Sequence, residues 1–187
     1  MCVHPALRGI LPNLTAALGP VLAQVAGVPG APVRVDPDPA PGPAGDIPWL
    51  SGIGQTEAFV GGSPPVLYLR GLPPLGSFGG DTAKFTKDAR AMVALVLTTP
   101  PGVAYSVSGS QGTPAQQAVA LALLHDSGVQ VPPGCSYGEA FCAPAPGTAQ
   151  YLAFRRFAAL PAATRHAWLA ANLTALRAGR VTLEQLP

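Results

Sequence analysis

Twenty-three prolines and twenty-two glycines punctuate this chain of 187 residues. Proline has no amide hydrogen to donate, and glycine loses more backbone entropy than other residues on entering regular structure, so both mark where elements stop. Residues 37–48, PDPAPGPAGDIP, are so rich in the two that they read as an internal loop. GGSPP and GLPPLGSFGG bracket VLYLR at 66–70, which reads as a short strand, as does PVRVD at 32–36. GVAYSVSG alternates like a third strand.

Between these breaks the apolar residues recur at helical spacing. From Pro5 to Ala26, Leu7, Ile10, Leu11, Leu14, Leu18, Val21, Leu22 and Val25 repeat at steps of three and four, which predicts a helix with one buried face. Pro12 and the pair Gly19–Pro20 are expected to kink or divide it, and Gly27 with Pro29 and Gly30 to end it. Asp81 is a candidate N-cap for a helix to about residue 98, with Phe85, Ala89, Met92, Val93 and Val96 inward. Thr113 and Pro114 open a third helix that runs to about His125 and stops at Gly128. Residues 148–159 form a fourth, broken at Leu160–Pro161, and 161–178 a fifth, ended by Gly179. Ala167, Leu169, Leu173 and Leu176 should be its buried face, with Trp168 nearby, and VTLEQLP adds a terminal turn. Five helices with a few short strands make a mainly α fold, the alternative being a small α/β domain. Residues 1–187 read as a single soluble domain, a length that supports its own core.

Composition narrows the partners. Charged residues are 11% against 48% hydrophobic, and mean hydropathy is +0.31, so the surface is poor in charge. Such a surface suits a domain that lies against a protein partner, a membrane protein or its own copy, although heavy use of Ala, Gly, Pro and Val also follows from a GC-rich genome. Net charge is +2 and the basic residues are scattered apart from Arg155–Arg156, so there is no basic stripe for nucleic acid. No apolar run reaches the length of a membrane span, and no signal peptide is evident, so an export signal would lie outside the chain. SGIGQTE at 51–57 lacks the third Gly and the Lys of phosphate-binding loops, and no cofactor is expected.

Three constellations carry possible chemistry. Cys135 and Cys142 stand in the loop PPGCSYGEAFCAP, residues 132–144, with six residues between them. That spacing closes a disulfide readily, and the bond would stabilise a proline-bounded loop by about 2–3 kcal/mol in an oxidising, extracytoplasmic setting. Cys2 would then stay unpaired. Alternatively, Cys2, His4, Cys135 and Cys142 supply the ligand set of a structural zinc site, though knuckles usually place two to four residues between paired cysteines. Third, AYSVSGSQGTPAQQAVALALL at 104–124 has the strand, tight turn and helix of a nucleophile elbow presenting Ser110. Asp126 and His166 follow in the order that a serine hydrolase needs. Against this, Ser108 occupies a position where the elbow requires Gly, and no run of parallel strands precedes it. The plainer reading of SGSQGTP is a turn into a helix cap. Asn13 and Asn172 begin N-L-T triplets, but both fall inside predicted helices and read as helix surface.

CVHPALRGILPNLTAALGPVLAQVAGVPGAPVRV at 2–35, QQAVALALL, and FAALPAATRHAWLAANLTALRAGRVTLEQLP resemble the soluble portion of actinobacterial membrane proteins associated with ABC-type transporters. The resemblance implies a non-enzymatic accessory or interaction domain beside a permease, and it carries over no catalytic residue. This chain differs in having no transmembrane part.

Overall fold

The computed structural model describes residues 11–39, 57–72, 82–100, 112–131 and 143–187. Among them are five α-helices and a three-stranded sheet, the mainly α architecture that periodicity implied. In chain order they are α1 (Leu11–Leu22), β1 (Arg34–Pro39), β2 (Glu57–Gly61), β3 (Val66–Leu72), α2 (Thr82–Thr98), α3 (Pro114–Asp126), α4 (Ala149–Ala159) and α5 (Ala162–Arg177). Short 3₁₀ turns follow α1 at Ala23–Val25 and close the chain at Leu183–Gln185.

The helices pack around α3. Its residues Ala115 and Gln116 and the whole run Ala118 to Leu124 are buried, as expected of a helix that is apolar on all sides and surrounded by others. Thr113 and Gln116 form a capping box at its start, each side chain bonding the other's backbone N–H. Neighbouring α2 presents Phe85, Ala89, Met92, Val93 and Val96 to the core, as its spacing predicts. It packs against α1, α3 and β2, while α4 packs against α3.

α1 passes through Pro20 without dividing, so of the two expected outcomes, a kink or a division, the division does not occur. Pro20 has no N–H for the Ala16 carbonyl one turn back, and Arg90 of α2 supplies a donor there. Its Nη2 donates to Ala16 O at 3.2 Å and its Nε to Ala17 O at 2.8 Å. The other Nη reaches Ser127 O at the end of α3. One guanidinium therefore joins three helices.

The sheet has the order β1-β3-β2, with β1 parallel and β2 antiparallel to β3. Ala58, Val60, Leu67 and Leu69 face the core, while Phe59 and Tyr68, paired across the strands, stack at 4.8 Å on the half-exposed side. β2 was not anticipated: a five-residue EAFVG has too few alternations to register alone. β1 runs to Pro39, three residues into the expected loop at 37–48. At the edge of the sheet among the described residues, it can hold Pro37 and Pro39, which a central strand would not tolerate. The remainder of that loop lies outside the described residues, as do Asp81 and the strand expected within 102–109.

In α5, Leu169, Leu173 and Leu176 are buried but Ala167 is exposed, which corrects the expected face. Leu169, Leu173 and Leu176 keep the steps of four and three that define one stripe, and Ala167 falls outside it.

Candidate functional site

Three helix ends converge at one place. The 3₁₀ turn after α1 brings Ala23 and Gln24, the end of α3 brings Leu123, and the start of α5 brings Ala162, Ala163, Arg165, His166 and Leu169. Between them lies a groove of about 340 Å³, mostly apolar. Leu160–Pro161 makes it possible: proline stops α4 and turns the chain so that α5 starts beside the end of α3.

The polar groups around the groove are engaged within the protein. Gln24 Nε2 donates to Pro20 O at 3.1 Å and to Leu123 O at 2.9 Å. Arg165 donates through Nη1 to the carbonyls of Ala158 and Leu160, capping the end of α4. Its Nη2 pairs with Asp126 Oδ2 at the end of α3. His125 Nδ1 lies 3.3 Å from the other Asp126 oxygen. A carboxylate at a helix C-terminus opposes the dipole, and Arg165 and His125 offset that cost. His166 Nε2 lies 2.9 Å from Ala26 O, so this nitrogen is the donor.

This geometry bears on the hydrolase constellation. Asp126 is bonded to Arg165 and His125, whereas His166 is turned to the Ala26 carbonyl; the link between Asp126 and His166 that a triad uses is not formed. Ser110 lies outside the described residues. So do Cys2, His4, Cys135 and Cys142, the residues of the disulfide and of the alternative zinc site. Among the described residues no three His, Cys, Asp or Glu side chains gather as a metal site would require, and no helix is long and apolar enough to cross a membrane.

Arg165 and Gln24 escaped sequence reasoning. The available signal was position: Arg165 is the fourth residue of a helix that follows a proline break, from where a long side chain can reach back to the preceding helix end. Arg177 was also missed. It is 5% exposed and donates to Thr99 O at 3.0 Å and Gly30 O at 2.8 Å, while its Nη2 is buried with no acceptor among the described residues. Burial pushes its pKa down from the ordinary value.

Compared with known proteins, the chain matches no family model, no curated protein and no solved structure. The fold class is therefore a mainly α domain with a small mixed sheet, defined by its own structure.

Proposed function

We propose that this is a non-enzymatic interaction domain, accessory to a membrane transporter, that receives apolar side chains of a protein partner at the groove between α3 and α5. The supporting observation is that the groove is apolar and that Gln24, Arg165 and His166 at its rim bond carbonyls or Asp126 of the protein itself. Such a site favours apolar contact over chemistry on a polar substrate. The adjoining face of α5 extends it: Ala163, Thr164, Ala167, Ala170, Ala171 and Thr174 are exposed and uncharged. Small side chains let a partner's backbone come close.

Association with a permease rests on the resemblance of residues 2–35, 116–124 and 157–187, together with the low overall charge. The same setting favours a Cys135–Cys142 disulfide on the extracytoplasmic side. Thiol counting on the unfolded, unreduced protein is expected to find one free thiol of three; three free thiols would remove the disulfide.

A photo-crosslinking residue at position 163, used in the native host, is expected to trap an integral membrane protein. Ala167→Glu should reduce the yield about tenfold, the effect of roughly 1.4 kcal/mol from placing a charge against an apolar partner. Hydrolysis of short acyl esters that disappears in Ser110→Ala would overturn the reading, as would a crosslink yield indifferent to Ala167→Glu.

A further inference from the structure

We draw no further inference here: the strongest candidate, the outer edge of β2 beside the stacked Phe59–Tyr68 pair, pairs with no strand among the described residues, but nothing in the structure shows what covers it.

Discussion

Arg177 is a buried cation held by neutral carbonyls, with no carboxylate bonded to it among the described residues. Two acceptors, Thr99 O at the end of α2 and Gly30 O after the first 3₁₀ turn, depend on it. Arg177→Ala removes those donors together with the packed stem, and is expected to lower stability by about 2–4 kcal/mol in denaturant unfolding. Arg177→Met keeps the stem and removes the desolvated charge with its orphaned Nη2, so it should cost less than Arg177→Ala. The pH dependence has a defined sign. The guanidinium is charged in folded and unfolded chains near neutrality, so its burial cost is present there and is relieved only as pH rises through the lowered folded value. Glu184 is also lowered, so its contribution to stability likewise rises with pH, but in the acidic range. The Thr182 hydroxyl, and then the glutamate's own backbone N–H, hold its carboxyl below the usual range. Its contribution is present above the unfolded value and lost as pH falls through the folded one. Carbon-detected NMR titration should find Glu184 below an ordinary glutamate, and Thr182→Val should move it back up.

At the scale of the element, α1 survives its internal proline because of a side chain 70 residues later in the sequence. Arg90→Met leaves the Ala16, Ala17 and Ser127 carbonyls without this donor, and should destabilise the fold by about 2–4 kcal/mol. Pro20→Ala restores an N–H one turn from Ala16 and should recover part of that loss. A double-mutant cycle measured by chemical denaturation checks the coupling, and strictly additive effects would contradict it. The helix faces make a simpler test. Leu14 in α1 is 4% exposed and Leu173 in α5 is 1% exposed, so truncation of either to Ala should cost about 2–5 kcal/mol. Ala167→Glu, on the exposed face, should change stability by less than about 0.5 kcal/mol. That near-neutrality is also what makes it a clean probe of docking.

The whole molecule depends on how helix ends are joined. Arg90 links α1, α2 and the end of α3; Arg165 links the ends of α3 and α4 to α5; Arg177 links α5 to the end of α2 and the loop at Gly30. Gln116 adds a fourth connection, its Nε2 donating to Leu176 O and Arg177 O while its oxygen completes the cap of α3. In a chain with 11% charged residues, three arginines are used on backbone carbonyls at the seams between helices. Every helix end leaves terminal carbonyls that must find donors, and these side chains supply several of them.

Much of the fold was legible because its signals are local. Helical spacing, the Thr113–Pro114 start and the Pro and Gly breaks place all five helices, since each depends on residues within a turn or two. The tertiary structure alone decided the sheet order, the pairing of β2, the exposure of Ala167 and the continuity of α1 through Pro20. It also decided the groove and the partners of Asp126 and His166, because the sequence order of Asp126 and His166 says nothing about which side chains meet. The bonds of Arg90, Arg165 and Arg177 to carbonyls leave no pattern in sequence: every residue carries a carbonyl, and only the packed arrangement shows which ones lack a donor.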